Sequence, residues 1–242
     1  MKNLKGKKQP LMTVKNLTDQ SADLYIYGEI VDNTDWKWDE SDVMPDDVLE
    51  ALQKVDGLGT LNIYINSPGG SVFAGLAIYN MLKRNKAYKK AYIDGIGASM
   101  ASVIPFAADE IFIPSNAFLM IHNPWTGAVG NAKDLRKIAD DLDVIATGAM
   151  NVYMENVKEG VTEETIQQML DEEKWLNGIQ AAEYFNVTVI EEKKYAACAS
   201  EYLTKYNKTP KSLMQSSGKK EATTLSEEEK IKFQNELDLL SI

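Results

Sequence analysis

Cysteine and histidine are almost missing from this sequence. Its 242 residues include one of each, Cys198 and His122. A single cysteine excludes an internal disulfide framework and a Cys-based zinc site, and it fits a reducing compartment. A single histidine means that any chemistry needing imidazole near neutral pH falls to His122. Positive charge is also short. Lys and Arg total 26 against 36 Asp and Glu, a net charge of −10. That balance excludes a broad nucleic-acid-binding face, and an anionic membrane surface as partner. No long hydrophobic run is present: the longest nearly unbroken apolar stretch, 98–108, falls well short of the roughly 20 residues that span a bilayer. The start, MKNLKGKKQPLMTV, is basic but lacks the apolar centre of a signal peptide. There is no Gly-x-x-x-x-Gly-Lys-Ser/Thr phosphate loop, so any need for ATP would be met by another protein. No cofactor and no metal site are expected, and the expected location is the cytoplasm.

What is present is a run of alternating strand and helix signals. Residues 1–20 read as a polar, Lys-rich arm. Residues 22–31 (ADLYIYGEIV) alternate as a strand does. Met44, Pro45, Asp46 and Asp47 start a helix, with proline early and acids in the first turn. Residues 61–66 (LNIYIN) read as a buried strand that enters a turn at 67–71 (SPGGS), followed by a helix carrying Ala74, Ile78 and Leu82 on one side. A strand over 88–93 leads to small residues at 95–98, then Ser99, then an apolar helical segment to Ala108, and then a strand over 117–121 ending at His122. This β-α-β-α-β-α-β order predicts an α/β domain with a largely parallel sheet. Beyond it, 132–157 reads as a long helix with Leu135, Ile138, Leu142, Ile145, Ala149 and Val152 in a heptad-like stripe. That stripe suits either an ordinary core face or a second subunit. A helix over 162–170, an acidic knot at 171–173 beside Trp175, a short helix over 179–184 and a strand over 187–190 close the domain. The remainder, 192–242, reads as a helical extension: an amphipathic helix through Tyr206, a linker over 207–224, and a terminal helix opening on the capping pair Ser226 and Glu229.

Chemistry concentrates in residues 94–122. A serine on a strand–turn–helix is the geometry of a nucleophile elbow. Backbone N–H groups at the helix start lack intrahelical acceptors and favour developing negative charge. A serine nucleophile needs a base, and here that base can only be His122. Alone, a serine at a helix start or a histidine at a strand end is more often structural. The weight comes from coincidence: 66–70, 95–99 and His122 all fall at strand carboxyl ends, where sites form in such sheets.

INSPGGSVFAG at 65–75, DGIGASMAS at 94–102 and FLMIHNP at 118–124 resemble, in order and spacing, the three signature segments of the ClpP family of serine peptidases. The resemblance covers about residues 22–190. YGEIVD at 27–32, GNAKDLRKIADDLD at 130–143 and EKWLNGIQAAE at 173–183 are similar to the ClpP-related head maturation proteases of tailed phages and prophages. The resemblance implies a ClpP/crotonase-type fold of repeated β-α units with a protruding long helix. It also implies stacked homo-oligomeric rings around the active sites and protein or peptide substrates, with capsid and scaffold proteins in the phage branch. Ser99 matches the nucleophile, His122 the base, and Gly70 and Met100 the two N–H donors of an oxyanion hole. At the third triad position the sequence departs from the family's Asp: aligning Trp175 and Leu176 places Glu173 there, with Asp171 the alternative. A phage relative would work in the host cytoplasm or inside proheads, without an unfoldase; a housekeeping relative would work with an ATPase unfoldase.

Three other readings use part of these residues. A crotonase-type acyl-CoA enzyme shares the fold but would leave Ser99 and His122 idle. A Ser/Lys signal-peptide peptidase would need a membrane segment. A ClpP-like subunit with a defective triad would serve only in assembly.

Overall fold

The computed structural model describes residues 14–33, 37, 39, 41–191, 203 and 206–210. The amphipathic helix expected from 192 onward and the capped terminal helix lie largely outside them.

A mixed sheet organises the chain. β1 (Val14–Lys15), β2 (Ser21–Ile30), β3 (Thr60–Gly70), β4 (Tyr88–Ala98), β5 (Glu110–Pro114) and β8 (Thr188–Ile190) lie in that order. β6 (Phe118–Ile121) pairs with β4 and with β7 (Lys174–Asn177) off this path. β1–β2 and β6–β7 are antiparallel and the other pairs are parallel. Strand β4 is long enough to serve two neighbours. Its first half, at Lys90–Tyr92, pairs with β5, and its last residues, Ile96–Ala98, pair with β6. The sheet therefore forks just before Ser99.

Alternation along the strands sets the layers. Leu24, Ile26, Leu61, Ile63, Ile65, Ala91 and Ile93 point into the core, where Ile78 and Leu82 of α2 (Val72–Arg84) and Val48 and Leu52 of α1 (Pro45–Lys54) cover them. On the other face the parallel register places Tyr25, Tyr64, Tyr92 and Phe112 side by side. Their rings stack at 4.7, 5.1 and 5.0 Å and remain only partly covered. α4 (Ala132–Met154) starts on a capping box made by Asn131 and Asp134. Only Met150, Val152 and Tyr153 near its end are buried, while Leu135 and Val144 are exposed.

Three features differ from the sequence reading. Residues 67–70 were expected to turn; they continue β3, with a register shift against β2. A strand tolerates a proline and left-handed glycines at such an irregularity, where no regular ladder bond is lost. Residues 95–98 likewise stay in β4, and the turn is compressed into Ser99 alone. Strands β5 and β7 and the short β1 are additions to the sequence reading, and β1 folds part of the expected arm onto the sheet.

Candidate active site

Ser99 stands between β4 and the short helix α3 (Met100–Val103), with φ 52° and ψ −127°. That backbone region disfavours any residue with a Cβ. Hydrogen bonds to its backbone on both sides hold it. The Ser99 N–H donates to the Met120 carbonyl at 2.8 Å, tying the turn to β6. The Ser102 hydroxyl, one helical turn on, donates to the Ser99 carbonyl at 2.6 Å. Because Ser102 has one proton to give, the buried Tyr153 phenol must donate to Ser102 Oγ, 2.7 Å away. Burial raises the Tyr153 pKa, which keeps that donor protonated. Tyr153 is itself fixed by the rings of Phe106 and Phe185, both 6.0 Å away.

His122 follows the last residue of β6, and its Nε2 lies 2.8 Å from Ser99 Oγ. Burial lowers the His122 pKa, and the negative charge of Glu173 pushes back in the opposite direction. The imidazole is thus held in its neutral, proton-accepting form near neutral pH. Glu173 caps the carboxyl end of α5 (Glu163–Asp171) in the left-handed region, φ 50°, with its N–H donating to the Leu170 carbonyl at 3.2 Å. Among the described residues, only Asn16, Ser99 and Glu173 are non-glycine residues with positive φ. Two of the three therefore belong to this site, where backbone strain tends to collect. Asp171 is exposed and turned elsewhere, accepting hydrogen bonds from Asn123 (2.7 Å) and Gln167 (2.8 Å), which hold its pKa down.

The third wall is the end of β3. The Ser67 hydroxyl donates to the Gly28 carbonyl at 2.6 Å and accepts the Gly69 N–H at 3.1 Å. A Cβ on Gly69 would lie 2.7 Å from Ser99 Cβ and 3.0 Å from the Met100 nitrogen. The glycine strand thus runs against the turn that carries Ser99. Gly70, φ 146°, lines a cavity with Ser99 and His122, and Met100 follows Ser99 as the first residue of α3.

Two cavities meet here. One, of about 240 Å³, is lined by Gly69, Gly70, Ser99 and His122 among others. The second, of about 480 Å³, is lined by His122, Trp125, Asp171 and Glu173 among others. Tyr206 lines both. Its hydroxyl donates to the Pro68 carbonyl, and its ring stands edge-on to His122, 5.2 Å between centroids. Burial pushes the phenol pKa up to about 12, and the Ser99 hydroxyl pulls it the other way. The N–H groups of Asn207 and Lys208 donate to the two Glu173 carboxylate oxygens at 3.0 and 2.6 Å.

The structure therefore brings Ser99, His122, Gly70 and Met100 together and places both Glu173 and Asp171 on the second cavity, where Glu173 adds to the charge felt by His122 and Asp171 is held by Asn123 and Gln167. Sequence reasoning missed Gly69, the Tyr153–Ser102 support and Tyr206. Ser102 was the one legible in principle, since a hydroxyl three residues after a helix-start serine faces its carbonyl.

The site is thus a serine–histidine pair at the carboxyl edge of a forked, mostly parallel sheet in an α/β protein. The Clp protease family profile matches residues 14–193, and the chain belongs to that family. The ATP-dependent Clp protease proteolytic subunit 1 of Streptomyces avermitilis is 34% identical over 135 residues, 55% of this chain and 61% of that protein. The ATP-dependent Clp protease proteolytic subunit of Bacteroides fragilis is 32% identical over 136 residues, 55% of this chain and 64% of that protein. The match thus spans somewhat under two thirds of the length of both relatives. A mutant ClpP1 from Listeria monocytogenes has the same fold, with a TM-score of 0.58 and 27% identity, covering 71% of this chain and 92% of that one.

Proposed function

We propose that the protein is a serine endopeptidase. The observation that carries this reading is the 2.8 Å approach of His122 Nε2 to the hydroxyl of a serine held in a strained elbow. Ser99 Oγ attacks a peptide carbonyl while His122 takes its proton. The N–H groups of Gly70 and Met100 stabilise the oxyanion, and His122 then protonates the leaving amine. Glu173 stabilises the imidazolium, since it is the charge that raises the His122 pKa. Labelling with a fluorophosphonate probe tests the reading. Labelling that depends on Ser99 and His122 is expected; its absence both in the full chain and in a Tyr206→Ala variant would sink it.

The acid assignment has its own test. His122 must be neutral to act, so kcat/KM rises with pH through its pKa, and the acid limb is expected below about 6.5. Glu173→Gln removes a charge that favours imidazolium, so the limb moves to still lower pH and the rate falls. Asp171→Asn is expected to leave the limb in place. The reverse pattern would transfer the role to Asp171.

Self-assembly into stacked rings belongs to the same reading. The α4 stripe supports it, since Leu142 and Ile145 are only half-covered by the chain's own fold. A Leu142→Asp/Ile145→Asp variant is expected to reduce the particle mass measured by light scattering by at least about half, since an interface core does not accept unpaired charge. An unchanged mass would place assembly elsewhere.

As biological role we favour the processing of capsid or scaffold proteins of a phage or prophage, in the host cytoplasm or in proheads. The support is the likeness of residues 27–32, 130–143 and 173–183 to that branch. Among the described residues, no helix is long and apolar enough to cross a membrane. A second reading, a housekeeping proteolytic subunit fed by an ATPase unfoldase, draws on the names of the relatives and on the partly exposed Tyr25–Tyr64–Tyr92–Phe112 ladder, an apolar strip suited to a partner. Cleavage of a folded substrate only when an unfoldase and ATP are added would favour the second reading. Cleavage of scaffold protein without them would favour the first.

A further inference from the structure

We propose that the chain's own segment around Tyr206 is an intramolecular inhibitor of the Ser99–His122 cleft. The inference rests on the endopeptidase reading and goes beyond it, assigning a function to the C-terminal extension.

Position is the first argument. Tyr206 lines both cavities and so narrows the space beside Ser99 and His122 that a substrate chain would enter. Its hydroxyl occupies the carbonyl of Pro68, on the same strand end that carries Gly69 and Gly70. A substrate backbone lying along that strand end would need such acceptors. The ring also covers the edge of His122.

Glu173 supplies the second argument. Both of its carboxylate oxygens accept backbone N–H groups of the segment, from Asn207 and Lys208. A carboxylate so engaged is oriented by the segment rather than by the imidazole. One short stretch thus walls the cleft and diverts the group that would steady the charged histidine.

Anchoring is the third. Leu203 is buried against Ile96, Ala98 and Met120, directly behind the Ser99 turn. Thr209 Oγ1 donates to the Leu203 carbonyl at 2.7 Å, which closes the segment on itself. The contact is nevertheless made at a cost. Trp175, 6.2 Å from the Tyr206 ring, has its indole N–H buried with no hydrogen-bond partner among the described residues. A dry donor of this kind beside the ring is destabilising, which keeps the net hold of the seat modest.

Two measurements on the full chain test the proposal: the rate of fluorophosphonate labelling at Ser99, and the rate of tryptic cleavage after Lys208 followed by mass spectrometry. Tyr206→Ala is expected to raise both by about ten-fold or more, since a buried aromatic anchor and its hydrogen bond are lost. Tyr206→Phe keeps the ring and loses the hydroxyl, with its bond to Pro68 and its interaction with Ser99, so a smaller, few-fold rise is expected. A synthetic peptide of residues 203–210 (LTKYNKTP), added to Tyr206→Ala, is expected to slow labelling again. Labelling in Tyr206→Ala that is equal to or slower than in the unaltered chain would overturn the inhibition and leave the hydrolase standing. Equal tryptic rates would overturn it as well. No labelling in any variant would sink the hydrolase reading and the inhibition together.

Discussion

Ser99→Ala, made in the Tyr206→Ala background where the cleft is open, is expected to lower kcat/KM for peptide hydrolysis by at least about 10³-fold. His122→Ala should do the same, and the double variant should be no worse than either single one, because nucleophile and base act as a unit. Simple additivity of the two losses would mean that the hydroxyl and the imidazole, 2.8 Å apart, do not work on one proton. The same position makes a second, opposite prediction for stability. At φ 52°, ψ −127°, a residue with a Cβ pays a backbone cost of about 1–3 kcal/mol. Glycine escapes it but loses about 0.4–1 kcal/mol through its freer unfolded chain. Ser99→Gly and Ser99→Ala both remove the hydroxyl, so comparing them isolates the backbone. Ser99→Gly is expected to be the more stable by about 1 kcal/mol, a rise in Tm of roughly 2–4 °C at matched protein concentration. Equal melting temperatures would show that the elbow is not strained.

These predictions rest on a pair that the sequence made legible for a physical reason. A parallel sheet delivers its strand ends to one edge, so the alternating pattern alone placed Asn66, Ser99 and His122 near one another. The acid was not legible in the same way. Glu173 and Asp171 are two residues apart at a helix end and line the same cavity, and only their distant partners tell them apart: Asn123 and Gln167 hold Asp171, while the charge of Glu173 acts on His122. Neither was the SPGG segment, because a proline followed by two glycines has the composition of a turn whether or not a neighbouring strand holds it extended. What holds it is Glu29 and Ile30 of β2, paired with Gly69 and Gly70. Tyr206 was out of reach altogether. Its partner Pro68 is 138 residues away along the chain, and no local period encodes such a contact.

Substitution in the glycine pair should damage both the fold and the elbow. A Cβ on Gly70 would sit 1.9 Å from the Ile30 carbonyl oxygen, a backbone atom that cannot step aside without parting β2 from β3. Added to the strain at φ 146°, Gly70→Ala is expected to cost roughly 2–5 kcal/mol and to lower Tm by on the order of 10 °C. Gly69→Ala strikes a different target. Its Cβ would lie 2.5 Å from the Ala98 carbonyl oxygen and 2.7 Å from Ser99 Cβ, so the elbow must move. Displacing the nucleophile and the adjacent Met100 N–H by even part of an ångström is expected to lower kcat by about 10²-fold. Gly57→Ala provides the control. Gly57 has φ 82° as well, but a Cβ there meets nothing within 4 Å, so it carries strain without collision. It should cost about 1 kcal/mol and leave kcat untouched. If Gly69→Ala were as active as Gly57→Ala, the glycine strand would be a passive neighbour of Ser99. A selective loss at Gly69 would show that the strand end sets the position of the reacting serine.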